Sequence, residues 1–182
     1  MGFTATRDYT ATAKLLHWLM AVLIFGLLAL GFYMHDLPLS PAKLQLYAWH
    51  KWAGVTMFLV AVFRLAWRVT HRPPALPGHM PRIERLAAHA GHYLLYVLML
   101  AIPLSGWLMS SAKGFQTVWF GVLPLPDLLG KDKQLGDLLQ TVHLSLNLLL
   151  VAVLLGHAGA ALKHHFIDKD DVLTRILPRR TA

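Results

Sequence analysis

Four apolar segments, each close to the length that a helix needs to cross a bilayer, constrain this chain more than any other feature. A membrane-spanning helix takes about 20 residues, and the segments cover residues 15–34, 49–69, 86–109 and 138–162. Hydrophobic residues make up 56% of the chain and charged residues 14%, against about 25% charged in soluble proteins. A soluble fold of this size could not bury so much apolar surface. The sequence therefore predicts an all-α integral membrane protein, built as a four-helix bundle.

The segments are joined by connections rich in proline, glycine or charge, at residues 35–43, 70–82 and 110–137. No internal repeat separates the chain into units. We therefore expect a single membrane domain over residues 1–182 that ends in a cytoplasmic tail over 163–182. The chain has no cysteine, which excludes disulfides, iron–sulfur clusters, thiolate zinc sites and covalent haem attachment.

The distribution of lysine and arginine predicts the orientation. Twelve of the 17 basic residues, Arg7, Arg179 and Arg180 among them, lie on the side that holds the two termini, the 70–91 loop and the adjoining end of the second segment. Five lie on the other side. Cytoplasmic loops carry the excess of positive charge in membrane proteins, so both termini should face the cytoplasm. Because this topology accounts for the net charge of +8, we expect no nucleic-acid partner.

The fourth segment carries two histidines, His143 and His157, in an otherwise apolar stretch. Fourteen residues of α-helix rise about 21 Å and return a side chain to within about 40° of its starting face. His17 stands near the cytoplasmic start of the first segment, and His50 near the outer start of the second. Depth therefore pairs His17 with His157 on the cytoplasmic side, and His50 with His143 on the outer side.

Two stacked histidine pairs on facing helices are the arrangement that two b-type haems require. Neutral imidazole is a good ligand for haem iron, and helix bundles commonly hold cofactors between facing helices. Two axial nitrogens fill the coordination sphere of the iron, which favours electron transfer over oxygen binding. One alternative is hydrogen bonding of each histidine between helices. Another is a zinc or copper site, as in a divalent-metal transporter, although pairs about 21 Å apart make poor closed cages.

Polar residues near the cytoplasmic pair each have a functional and a structural interpretation. His89 and His92 share a helix face with Tyr96. They either form a quinone-binding or proton-accepting site, or a contact to haem propionates, or they only cap the helix at the interface. Arg64 and Arg68, one turn apart, either extend to the interface or pair with haem propionates.

On the outer side, Lys51 adjoins His50 and Lys113 begins the long connection. Either lysine could draw a small anion toward the outer haem, and both are therefore candidate catalytic residues, although most exposed lysines have no such role. His164 and His165 follow the last apolar segment. We expect both to be solvated or to lie at the headgroup level.

Motifs along nearly the whole chain, from about residue 7 to 180, resemble the bacterial cytochrome b561 family in order and spacing. They are "LLHW", "HKWAG", "AHAGHYLLYVLMLAIPLSGW", "GHAGAALKHHF" and "LTRILPRR". The resemblance implies a four-helix protein of the bacterial inner membrane that binds two non-covalent haems b through four histidines. On this sequence those ligands correspond to His17, His50, His143 and His157.

The resemblance also implies electron exchange with the ubiquinone pool and, in one activity of the family, oxidation of periplasmic superoxide to oxygen. The outer side carries five lysines against four acids, Asp36, Asp127, Asp132 and Asp137, so its positive bias is weak. The alternative function is a membrane cytochrome b subunit that relays electrons for a hydrogenase- or dehydrogenase-type complex with a soluble redox partner.

Overall fold

Four long helices make up most of the computed structural model, which describes residues 8–178. They are α1 (Ala11–His35), α2 (Pro41–Thr70), α3 (Arg82–Ala112) and α4 (Lys133–Lys163). Each is long and apolar enough to cross a membrane, which confirms the predicted α-helical membrane bundle. Arg7, Arg179 and Arg180, counted above for the orientation, lie outside the described residues. The cytoplasmic position of the termini stays a prediction.

The helices begin several residues before the apolar segments that predict them. α2 starts at Pro41 rather than at residue 49, because the Ser40 side chain accepts a hydrogen bond from the Lys43 N–H at 3.2 Å and proline suits the first helical position. α4 starts at Lys133, where Asp132 caps the Leu135 N–H at 3.0 Å. Hydropathy marks the part of a helix that lies in lipid, whereas the capping residue determines where the helix begins.

Neighbouring helices pack in chain order, α1 with α2, α2 with α3 and α3 with α4, whereas α1 and α4 make no comparable backbone contact within residues 8–178. The core lies midway along the bundle, between the level of His17 and His157 and the level of His50 and His143. Its buried members are Met20, Ile24, Met57, Ala61, Leu95, Leu98 and Leu150. A four-helix arrangement that keeps α1 and α4 apart leaves space between them for side chains or a cofactor.

A short hairpin closes the outer connection. Strand β1 (Val118–Trp119) pairs antiparallel with β2 (Leu123–Pro124), and the turn between them uses positive φ angles at Phe120 and Gly121. The indole N–H of Trp52 donates to the Val118 carbonyl at 2.6 Å, and that of Trp119 donates to the Thr56 hydroxyl at 3.3 Å. These bonds anchor the hairpin to the outer part of α2, next to His50.

The segment after α4 folds back across the inner ends of the helices. The indole N–H of Trp18 donates to the Ile176 carbonyl at 3.0 Å, and the Lys14 ammonium donates to the Leu177 carbonyl at 3.1 Å. Arg175 also donates to the Ala75 carbonyl at 2.7 Å. The C-terminal segment is therefore tied both to α1 and to the connection between α2 and α3.

His164 corrects the expectation that it would be solvated, because only 9% of it is exposed. A π-helical turn, His164–Asp168, continues α4, and Lys169 then adopts a left-handed conformation at φ 56°. This reversal brings the Asp170 carboxylate to 2.7 Å from Nδ1 of His164. The sequence pattern did not predict the reversal, since no glycine or proline marks it.

Candidate functional site

The two intramembrane histidines of α4 each lie opposite a histidine of another helix. His17 of α1 faces His157 with ring centres 6.2 Å apart and ring planes at 53°. His50 of α2 faces His143 with ring centres 6.4 Å apart and planes at 79°. We name His17 and His157 the inner pair and His50 and His143 the outer pair, after the predicted cytoplasmic and outer sides. The structure thus brings together the residues that depth alone had matched.

The spacing within each pair fits a single metal ion held from both sides. A metal–imidazole bond is about 2 Å long, and the nitrogen lies about 1 Å from the ring centre, so two opposed ligands place their ring centres about 6 Å apart. Both pairs have this separation. Two ligands on opposite sides suit the axial positions of a haem, whereas a structural zinc ion takes four ligands in a tetrahedron.

A hydrogen bond across α3 and α4 orients His143. Its Nδ1 lies 3.1 Å from the Ile102 carbonyl oxygen, and because a carbonyl can only accept, Nδ1 carries the proton. The Ser105 hydroxyl lies 2.9 Å from the same nitrogen and itself donates to the Ile102 carbonyl at 2.7 Å. Nε2 of His143 is therefore left with its lone pair free, as a metal ligand requires.

Glycines make room for both rings of the outer pair. A Cβ atom on Gly106 would stand 3.2 Å from Cε1 of His143, and one on Gly31 would stand 3.3 Å from Cε1 of His50. Nδ1 of His50 is buried and has no hydrogen-bond partner among residues 8–178. A buried neutral imidazole without a hydrogen-bond partner at Nδ1 is compatible with iron binding, for which one ring nitrogen must be free of its proton.

Of the two arginines of α2, Arg64 contacts the inner pair directly, and both contact Tyr96. Arg64 places Nη2 3.2 Å from Nδ1 of His17, and its Nε donates to the Tyr96 hydroxyl at 3.3 Å. The guanidinium of Arg68 lies 5.5 Å from the centre of the Tyr96 ring. Both side chains are therefore within reach of a carboxylate bound beside the inner pair.

A cleft of about 460 Å³ opens between α2 and α3 beside the inner pair. The ring of His92 lies 5.5 Å from that of His157, so one wall of the cleft adjoins the inner pair. Polar and apolar groups both contribute to the lining, which is formed by Leu65, Arg68, His89, His92, Tyr93, Tyr96, Val97 and Leu100. The predicted group of His89, His92 and Tyr96 thus shares one cavity with Arg68.

The two outer lysines are both engaged. The Lys51 ammonium donates to the Phe115 carbonyl at 2.9 Å, which ties it to the outer connection. The Lys113 ammonium bonds to the side chain of Gln140 and lies 3.5 Å from Asp137, a carboxylate that Lys133 also contacts at 2.9 Å. Asp137 therefore lies between two lysines, and the Lys51 ammonium, which adjoins His50 in the chain, is directed to the outer connection.

One further group of potential metal ligands lies at the inner end, outside the bundle core. Glu84, His164 and Asp168 are the group of three histidine and acidic residues whose ligand atoms converge within the described part of the chain. The Lys163 ammonium already lies 3.0 Å from Glu84 and 2.8 Å from Asp168. These residues therefore form an ion-pair network in the structure.

Sequence reasoning missed the residues that position the outer pair, namely Gly31, Ile102, Ser105 and Gly106. Ile102, Ser105 and Gly106 fall within the "IPLSGW" stretch of α3, where a proline, a serine and a glycine interrupt an apolar run. That interruption was the available signal. A backbone carbonyl that orients a ring leaves no trace in the residue type.

Comparison with known proteins gives consistent matches along the chain. A family model described as prokaryotic cytochrome b561 matches residues 8–179. "Cytochrome b561 homolog 2" of Escherichia coli (strain K12) is 37% identical over 185 residues, covering 100% of this chain and 98% of that protein. "Probable superoxide oxidase CybB" of Yersinia pestis is 31% identical over 132 residues, covering 72% of this chain and 74% of its own length.

Proposed function

The chain belongs to the prokaryotic cytochrome b561 family, and from this we propose that it holds two haems b and transfers electrons between an outer donor and ubiquinone. Membership implies haem b and, with four spanning helices, a multi-pass protein of the bacterial inner membrane. The observation that carries the proposal is the nearly equal spacing of the two histidine pairs, 6.2 and 6.4 Å between ring centres.

In the proposed arrangement His17 and His157 hold one haem, and His50 and His143 hold the other. When bound, each haem supplies a one-electron centre whose iron is closed to further ligands. The chain keeps the two sites at different depths, because fourteen residues of α4 span about 21 Å. The Ile102 carbonyl keeps His143 in the tautomer that can bind iron.

We propose that the cleft between α2 and α3 binds the ubiquinone head group. Arg68, His89 and Tyr96 offer N–H or O–H donors to the quinone carbonyls, and Leu65, Val97 and Leu100 offer an apolar path for the tail. His92 stands between this cleft and the inner pair. Histidines at the cytoplasmic end of α3 can also pass the two protons that quinone reduction consumes.

We propose superoxide as the outer donor, by analogy with the relative named probable superoxide oxidase. Two superoxide anions give up one electron each and leave as two molecules of oxygen, while one quinone takes up two electrons and two protons to become quinol. Lys51 supplies a positive charge next to His50 that would attract the anion. Lys113 contributes less, because it lies 3.5 Å from the Asp137 carboxylate, which Lys133 also contacts.

A membrane subunit that receives electrons from a soluble partner is the alternative function. The weak positive charge of the outer side favours it, since five lysines face four acids there and Lys113 is paired. Such a subunit would reduce quinone only together with its partner, whereas a superoxide oxidase acts alone.

The experiment begins with the purified protein in detergent. A dithionite-reduced spectrum with a pyridine haem count should give two low-spin b haems per chain, and a colourless preparation would refute the proposal. Superoxide should then drive quinone reduction by the isolated protein, with the heat-inactivated protein as control. Two haems without this activity would support the subunit function, and a copurifying iron–sulfur protein would identify its partner.

A further inference from the structure

We infer that the groups around the two histidine pairs make them unequal, so that the inner site has the higher reduction potential and draws electrons inward. The inference rests on the proposed binding of one haem by each pair. It concerns Arg64 and Arg68 on the inner side and the Ile102 carbonyl on the outer side. None of these groups is a ligand, so they act as tuning residues.

Positive charge surrounds the inner pair. The Arg64 guanidinium contacts the His17 ring at 3.2 Å, and Arg68, one helical turn further along α2, lies 5.5 Å from the centre of the Tyr96 ring. Arginine stays charged under all ordinary conditions. A fixed positive charge beside an iron favours the reduced form, because reduction lowers the positive charge of the site.

The charge at Arg64 remains close to the inner site whichever tautomer His17 adopts. A guanidinium only donates, so Nδ1 of His17 accepts in the observed contact and the proton of a neutral ring lies on Nε2. Binding of iron at Nε2 would transfer that proton to Nδ1, and Arg64 would then turn to Tyr96, to which it is already bonded, or to a haem carboxylate. In either position it offsets negative charge beside the inner haem.

The acids at the inner ends of α3 and α4 have partners other than Arg64 and Arg68. Glu84 and Asp168 are paired with Lys163 at 3.0 and 2.8 Å. Asp170 is paired with His164 at 2.7 Å. These three negative charges are therefore held by other partners.

The outer pair has the opposite surroundings. The Ile102 carbonyl accepts from Nδ1–H of His143 at 3.1 Å, which makes the ring a stronger electron donor and favours the oxidised metal. The Lys51 ammonium adds a positive charge on the outer side, but it is directed to the Phe115 carbonyl, whereas Arg64 contacts the His17 ring at 3.2 Å. Lys113 lies 3.5 Å from Asp137. Both effects increase the difference between the two reduction potentials, because the cation raises that of the inner site and the carbonyl lowers that of the outer site.

Spectroscopic redox titration of the haem-loaded protein tests the inference. The unmodified protein should titrate in two steps, and the variants His143→Ala and His157→Ala, each keeping one pair, should assign the higher potential to the inner site. Arg64→Gln should lower the equilibrium constant for reduction of the inner haem at least about tenfold, which is about 59 mV for one electron. Arg64→Lys should retain most of the potential.

Arg85→Gln is the matched control, because it removes an arginine of the same inner side whose side chain donates to the Met80 carbonyl instead. The potential of the outer haem should not shift in any of the three arginine variants. Equal potentials at the two sites, a higher outer potential, or the same shift in Arg85→Gln would overturn the inference while leaving two haems in place. Absence of haem from the unmodified protein would instead refute the proposed function. If Arg64→Gln fails to bind haem, His143→Ala and His157→Ala still show which of the two sites has the higher potential.

Discussion

The carbonyl oxygen of Ile102 on α3 lies 3.1 Å from Nδ1 of His143 on α4, so a backbone group of one helix fixes the ring of another. Ile102 directly precedes Pro103, which lies inside the helix. Ser105 contributes a second contact to the same nitrogen at 2.9 Å. Orientation of a ligand by such an outer partner typically strengthens metal binding 10–100-fold, by order of magnitude.

Loss of the serine hydroxyl should therefore weaken the outer site without removing it. In Ser105→Ala the Ile102 carbonyl still accepts from His143, so we expect retention of the outer haem with affinity reduced up to about tenfold, the low end of the usual range for outer partners. Haem release to an apo-globin acceptor measures this. Ser110→Ala, a buried serine bonded to the Phe115 carbonyl instead, is the control, and an equal effect there would contradict the assignment.

Enlargement of Gly106 should displace His143. A Cβ would already stand 3.2 Å from Cε1 of the ring, and the branched side chain of Gly106→Val cannot fit there without moving it. We expect loss of the outer haem, about half of the total, from overpacking at the ligand. The pyridine haem count measures the loss. Gly26→Ala is the control, since a Cβ at Gly26 meets nothing within 4 Å, and full haem content in Gly106→Val would be inconsistent with the site.

Removal of one α4 histidine should empty one site only. His143→Ala should lose the haem of the outer pair and His157→Ala that of the inner pair, because each ring faces a different partner. Each variant should keep about half of the haem and a low-spin spectrum, as the remaining iron keeps two axial nitrogens. Loss of both haems from either variant would argue against independent sites.

Substitutions in the cleft should affect ubiquinone binding more than haem binding. Tyr96→Phe removes the hydroxyl that accepts from Arg64, and His89→Ala removes a polar group from the lining. We expect a higher KM for ubiquinone in both variants, with the haem count unchanged. Steady-state quinone reduction measures this, and His71→Ala, a histidine stacked on Trp67 away from the cleft, serves as control. Unchanged kinetics in both cleft variants would place the quinone elsewhere.

The buried pair of His164 and Asp170 should matter for stability. The Asp170 side chain is only 7% exposed and lies 2.7 Å from Nδ1 of His164, so Asp170→Ala removes the shorter of two carboxylate contacts and leaves Asp168 at 3.2 Å. We expect a loss of about 0.5–1.5 kcal/mol in the free energy of unfolding, the usual net contribution of one hydrogen bond. Thermal unfolding in detergent checks it. Asp36→Ala, in an ion pair with His35 at 4.0 Å where the aspartate is 89% exposed, should change little.

The helices could be predicted from the sequence because their cause is local. Some 20 consecutive apolar residues have few alternatives to a membrane helix, since lipid offers no partner for a free backbone group. The helix ends were predicted less well, by as many as eight residues at Pro41, because capping by Ser40 carries a weaker signal than hydropathy.

The sequence by itself determined that this is a membrane bundle of the cytochrome b561 family, and helical geometry matched its four intramembrane histidines by depth. Only the tertiary structure decided what surrounds them: the space left by Gly31 and Gly106, the Ile102 carbonyl on His143, the Arg64 guanidinium on His17, and the burial of His164. The physical reason is that rise and phase along one helix depend on residue spacing alone, whereas a contact between helices depends on how their faces pack and rotate against each other.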